Sequence, residues 1–234
     1  MRDNKSAYNA AIYDDHIVNV LPYYREYHGQ ILDLVRSMER VWTMEKGRNA
    51  EKRGIDWLDT GCGTGTLAAR VLDSRDDVRF TLCDPSPRML DLAREKLKGR
   101  GIHFLSGPSQ ALSFSEEFDV VTAVQCHHYL QADERETAVR KCYRALRDKG
   151  VFICFENIRM STEESDGIAL ERWLHFLESR GNPPEDVRMH RDRRGIEIFP
   201  ITIEEHIALL RKCGFSSVDL LWTSYLQAGF WAVK

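Results

Sequence analysis

The stretch Ile55-Asp56-Trp57-Leu58-Asp59-Thr60-Gly61-Cys62-Gly63-Thr64-Gly65 decides the fold class. Ile55–Asp59 reads as a short strand. Three glycines on alternate positions follow at once, and Thr66–Asp73 then has helical spacing. A strand that runs through glycines into a helix is the opening of a βαβ unit. The glycines let the backbone turn sharply and let a ligand come close to bare N–H groups. The helix beyond them presents unpaired donors at its N-terminus.

The pattern repeats downstream. Val78–Cys83 is a strand ending at Asp84, and Pro87–Lys98 is a helix with proline at its start. Ile102–Leu105, Phe118–Val124 and Val151–Phe155 read as further strands, with a helix over Asp133–Arg147. Near-continuous apolar strands alternating with helices indicate a parallel sheet covered on both faces. Residues 163–180 and Glu204–Cys213 are amphipathic helices. The polar, proline-bearing stretch 181–200 reads as a loop. Ser217–Thr223 and Gln227–Val233 close the chain as an antiparallel hairpin. The expected architecture is therefore α/β, a Rossmann-like doubly wound sheet of seven strands, mostly parallel, with the last antiparallel. Ahead of it, residues 1–47 read as helices broken at Pro22. A charged linker spans Gly47–Gly54, so the expected division is 1–47 and 48–234, with an insert near 160–200.

Composition narrows the function. The 234 residues are 43% apolar and 29% charged, ordinary for a globular chain and unlike a disordered or coiled-coil one. At a net charge of −3, general binding to nucleic acid is not favoured. The longest apolar runs are about five residues, against about 20 for a membrane span. The start Met1–Ser6 has no apolar core of a secretory signal. Six dispersed cysteines without a C-x-x-C pair read as small core hydrophobes of a reducing, cytoplasmic setting, with no metal site.

The glycine spacing carries chemical information. A dinucleotide fingerprint is G-x-G-x-x-G. Here the third glycine falls at position 65, position 66 is threonine, and Asp59 stands two residues before Gly61. An anion there is awkward beside a pyrophosphate and suits a ligand with an ammonium group and no phosphate. Asp84 ends the second strand, where an acid accepts hydrogen bonds from ribose hydroxyls.

These motifs together resemble the class I S-adenosylmethionine-dependent methyltransferases over most of residues 55–233. The resemblance implies S-adenosyl-L-methionine as cofactor. It implies that Asp59 and the backbone of Gly61, Cys62, Gly63 and Gly65 hold the methionine end. It further implies Asp84 on the ribose and Pro85 or Met89 against the adenine. Many relatives carry an acid after the third strand for the adenine amino group. This chain has Pro108 there, which leaves Ser109 or Gln110, or the backbone, for that bond. Residues 8–36 and 204–233 more loosely resemble carboxy-S-adenosylmethionine synthase, an enzyme that remodels the cofactor.

Methyl transfer is an in-line displacement that depends on positioning, with a base only where the acceptor must lose a proton. Candidates lie after the fourth strand, in Gln125-Cys126-His127-His128. Gln125 is expected to face the cofactor. The histidine pair reads first as packing for the turn, second as a source of a general base, His128, and least as a metal site with Cys126. Tyrosines at 8, 13, 23, 24 and 27 suggest an N-terminal cover, with Tyr13 a candidate catalytic residue whose aromatic face can meet a sulfonium. The basic run Arg188–Arg194 reads either as a solvated loop or as an anion-recognition element, with Arg191 facing the crevice. The expected partner is a small-molecule acceptor, anionic if the arginine reading holds. A non-catalytic cofactor-binding protein is the third reading. The oligomeric state stays open, a homodimer included.

Overall fold

The computed structural model describes Ser6, residues 9–46 and residues 54–234. The linker expected over 47–54 lies outside the described residues except for Gly54, as does Tyr8. Helices α1 (Tyr13–Val20) and α2 (Tyr24–Lys46) lead into β1 (Ile55–Thr60), α3 (Thr66–Leu72), β2 (Val78–Asp84), α4 (Pro87–Lys96) and β3 (His103–Ser106). There follow β4 (Phe118–Val124), α5 (Ala132–Ala145), β5 (Leu146–Asn157), α6 (Glu163–Ser179), α7 (Pro184–Asp192), α8 (Ile203–Lys212), β6 (Ser217–Ser224) and β7 (Gln227–Val233).

All seven strands form one sheet in the order β3-β2-β1-β4-β5-β7-β6. β1 pairs in parallel with β2 and β4, and β7 is antiparallel to both β5 and β6. The strand order reverses between β1 and β4, so their C-terminal ends open the crevice where ligands bind in such sheets. Because successive strand residues face opposite sides, β5 sends Ile153 and Phe155 into one core and Phe152 and Cys154 into the other. The first core packs against α1, α2, α3 and α6, and the second against α5 and α8. This two-sided burial is why the strands read as apolar runs. It also makes α2 a layer of the main core. Tyr27 on α2 is fully buried and stacks on Phe155, with centroids 4.7 Å apart.

Two expectations are revised. β5 starts at Leu146, because Leu146 pairs with Phe118 before the register slips to Val120–Val151. The stretch 181–200 contains α7. Pro184 sits in its first turn, the acids Glu185 and Asp186 suit its N-terminus, and Val187 and His190 bury one face. Helix start signals there outweigh the polar composition.

Candidate active site

The glycine loop is built for close approach. Gly61, Gly63 and Gly65 all have left-handed φ, of 70°, 54° and 75°. A Cβ on Gly61 would lie 2.5 Å from the Cβ of Cys126, so this glycine lets β4's end pack on the loop. A Cβ on Gly63 would meet nothing within 4 Å, so that backbone borders open space. Asp84 fastens the loop to the end of β2. Its Oδ2 accepts from the Gly63 N–H at 2.9 Å and its Oδ1 from the Ser86 N–H at 2.8 Å.

Asp59 is 2% exposed, and its Oδ1 accepts from the Thr122 hydroxyl at 2.7 Å. Burial pushes its carboxyl up to about 7, against the Thr122 hydrogen bond, and the negative charge of Asp84 pushes the same way. Two acids thus share one cradle, an environment that favours a cation between them.

Beyond β3, Ser109 is committed: its hydroxyl pairs with Thr60 Oγ1 at 2.7 Å and His127 Nε2 at 3.0 Å. Gln110 is different. Its Oε1 is buried with no hydrogen-bond partner. Met89 is buried, whereas Pro85 is exposed.

Helix α1 lies over the loop. Asp14 Oδ1 accepts from the Thr64 and Thr66 hydroxyls at 2.6 and 3.2 Å, and its Oδ2 meets Lys96 Nζ at 2.7 Å. Lys96 also donates to both threonines. Of the tyrosines, Tyr23 is exposed and Tyr27 is core. Burial pushes the Tyr13 hydroxyl well up, with Tyr24, Tyr129 and the acids Asp14 and Asp84 adding to it.

Behind α1 is a small, half-open cavity of about 40 Å³, bordered by Tyr13, Gln125, His128, Tyr129, Trp173 and Arg193 among others. Gln125 holds φ 55° at the end of β4, and its Nε2 donates to Gln227 Oε1 at 2.8 Å. It therefore stands on the cavity wall, tied to β7.

The histidine pair divides its labour. His127 is buried, bonded to Ser109, and pushed down to about 4 by burial, as expected of a packing residue. His128 borders the cavity, and its Nδ1 lies 2.9 Å from Glu156 Oε2. Glu156 is 1% exposed and also accepts the backbone N–H groups of His127 and His128, at 3.3 and 2.8 Å. Burial is the largest influence and works against its ionised form, but the hydrogen bond from His128 and the neighbouring His128, His127 and His206 rings together outweigh it and hold the carboxyl below its ordinary range. The Asn157 N–H approaches the same ring nitrogen at 3.3 Å. The shorter bond, to an ionised carboxylate, assigns a proton to Nδ1. Glu156 is the residue that sequence reasoning missed. The available signal was an acid at the C-terminal end of a central strand, the same signal that marked Asp84.

Arg191 needs correction. It was expected to face the crevice, but it lies on the outer side of α7, 48% exposed, 3.3 Å from Glu171. His190 fills the buried face, and one residue further on a helix turns the side chain about 100° away. Arg193, just past the helix, is buried beside the cavity. Its Nε donates to Glu197 at 2.7 Å and its guanidinium lies over the Tyr129 ring.

Residues 58–150 match the family of methyltransferase domains. The matched stretch runs from the end of β1 into β5 and contains the D-x-G-x-G-x-G loop. The methyltransferase fold extends over most of the chain in solved structures. The partner of the Trm112 methyltransferase activator of Haloferax volcanii superposes over 95% of this chain and 92% of its own, with TM-score 0.62 at 14% identity. PigF, solved with S-adenosylhomocysteine, covers 80% of this chain at TM-score 0.57 and 19% identity, and this chain spans 52% of PigF. These likenesses show the fold. Among curated sequences, the carboxy-S-adenosyl-L-methionine synthase of a Nitratiruptor species is 25% identical over 96% of this chain and 90% of its own. That of Helicobacter hepaticus is 26% identical over 92% and 89%.

Proposed function

We propose that this chain uses S-adenosylmethionine to methylate a small acceptor whose nucleophilic atom loses a proton to His128. The residues present fit the cofactor. Asp59 and the open backbone at Gly63 suit the amino and carboxylate groups of its methionine end. Asp84 takes the ribose, and the unspent acceptor of Gln110 suits the adenine amino group. Tyr13, latched over the loop through its neighbour Asp14, covers the site. When bound, the cofactor supplies an electrophilic methyl group. The reacting end of the acceptor enters the small cavity beside His128, whose wall includes Arg193, paired there with Glu197. His128 Nε2 takes the acceptor's proton, while Glu156 fixes the tautomer and stabilises the imidazolium.

The observation that carries this reading is His128 on the cavity wall, held from behind by Glu156. Positioned base catalysis of this kind contributes about 10²–10⁴ in rate.

A second reading is cofactor carboxylation, as in the named relatives, and the near full-length resemblance to them favours it. A carboxylate carried on the cofactor would meet Arg193, whose planar fork suits that group. Mass spectrometry of the ligand retained by the purified chain separates the two. Adenosylhomocysteine supports methyl transfer, and a carboxylated cofactor supports the second reading. A chain that retains adenosylhomocysteine but turns over none of a broad acceptor panel would instead be a binding protein.

A further inference from the structure

A second depression shares no bordering residue with the acceptor cavity. It is an open cleft of about 480 Å³ between the start of α5 and the segment 194–201, within the size range of small-ligand sites. Arg135, Arg159 and Arg194 border it from three separate segments, and Asp166 is the one carboxylate among its bordering residues.

Arg135 is the unusual group. It is only 3% exposed, yet its hydrogen bonds go to the backbone carbonyls of His127, Leu130 and Phe199. Among the described residues it forms no ion pair, so a buried positive charge lacks a carboxylate in contact. Such a charge is costly unless an anion reaches it. Arg194 is shared between Asp166, at 3.0 Å, and Asn157 Oδ1, at 2.7 Å. Arg159 pairs with Glu205 at 2.9 Å in an exposed contact that holds it only weakly. Gln131 and Ala132, at the N-terminal end of the 14-residue helix α5, also border the cleft, which adds the positive end of a helix to the same space.

We propose that this cleft is a phosphate-binding site, taking the phosphoryl group of a small ligand. Guanidinium groups approaching from three directions match a tetrahedral anion with several oxygens better than they match a planar carboxylate. The wall of the cleft is the turn that carries His128: Arg135 holds the His127 carbonyl, and the Phe199 N–H donates to the His128 carbonyl at 2.8 Å. The site is separate from the cofactor cradle, so it does not depend on which reaction the chain performs.

Inorganic pyrophosphate is the probe, titrated into the full chain by calorimetry at constant ionic strength balanced with potassium chloride. The expected result is saturable binding at one site per chain. Arg159→Ala should weaken it at least fivefold, and Asp166→Asn, which removes the opposing charge, should tighten it at least twofold. Adenosylhomocysteine affinity should stay the same in both variants. The two substitutions move affinity in opposite directions, so either one carries the test if the other variant melts early. Absence of saturable binding to the wild-type chain, or equal affinity in all folded variants, would overturn the proposal.

Discussion

His128 Nδ1 and Glu156 Oε2 stand 2.9 Å apart, in two side chains that are 3% and 1% exposed. The carboxylate is also braced by the backbone of the turn it faces. In the proposed reaction this carboxylate orients the imidazole that takes the acceptor's proton.

Glu156→Gln should therefore lower kcat by about 10²-fold, the low end of the range for a positioned base. His128→Ala should do at least as much. Adenosylhomocysteine affinity should hold within about twofold in each. Because glutamine keeps the side-chain shape, a melting curve close to wild type will separate lost chemistry from lost fold. Normal kcat in both variants would remove the pair from catalysis.

On the proposed reading, Asp59 should make cofactor affinity depend on pH. In the free chain its carboxyl is raised to about 7 from the ordinary 3.8, so below pH 7 it is mostly neutral. An ammonium group needs the ionised form. Affinity should rise by up to tenfold per pH unit toward pH 7 and level off above it. The folded pKa is above the unfolded one, so this group's contribution to the stability of the free chain is full below about pH 4. It is lost as pH climbs through 7. Asp59→Asn should flatten both dependences, and binding above pH 8 should weaken. Calorimetry and thermal melts across pH 5.5–8.5 check the pair of effects.

Lys96 latches α1 to the glycine loop through Asp14 and two threonines. The Lys96 and Asp14 side chains are 30% and 43% exposed. Lys96→Ala should thus cost less than about 1 kcal/mol of stability. Its larger effect should fall on the site, with a several-fold rise in the cofactor KM and little change in kcat. Steady-state kinetics would show this split.

The two arginines near the end of α7 should behave differently. Arg191→Ala should leave turnover within about twofold of wild type, because its partner is an exposed glutamate across the surface. Arg193→Lys should lower kcat/KM for an anionic acceptor at least tenfold, since the planar fork is lost. Kinetics with the acceptor found by ligand analysis would test the contrast. An Arg191 effect as large as the Arg193 effect would reverse the assignment.

Much of this was legible in the chain itself. The strand-to-helix glycine loop, Asp84 at the end of β2 and the closing hairpin depend on local spacing, which sequence carries directly. The site residues supplied by tertiary packing were harder to see. Glu156 ends an apolar run and acquires a role only because the β4–α5 turn folds over it. Arg193 and Arg191 lie two positions apart in one basic stretch. Which of them turns inward depends on where α7 stops, and reading 181–200 as a loop concealed that. Ser109 and Gln110 were equivalent on paper. They separate once the Ser109 hydroxyl is seen to be used by Thr60 and His127 while Gln110 Oε1 is left over.

The most direct test of the cofactor cradle is titration calorimetry of the full chain with S-adenosylhomocysteine and, separately, NAD. The expected result is one-site binding of adenosylhomocysteine, weakened by about 1–3 kcal/mol in Asp84→Ala, the scale for hydrogen bonds to a charged group, and no heat with NAD. Binding of NAD without adenosylhomocysteine, or unchanged adenosylhomocysteine affinity in a folded Asp84→Ala variant, would contradict it.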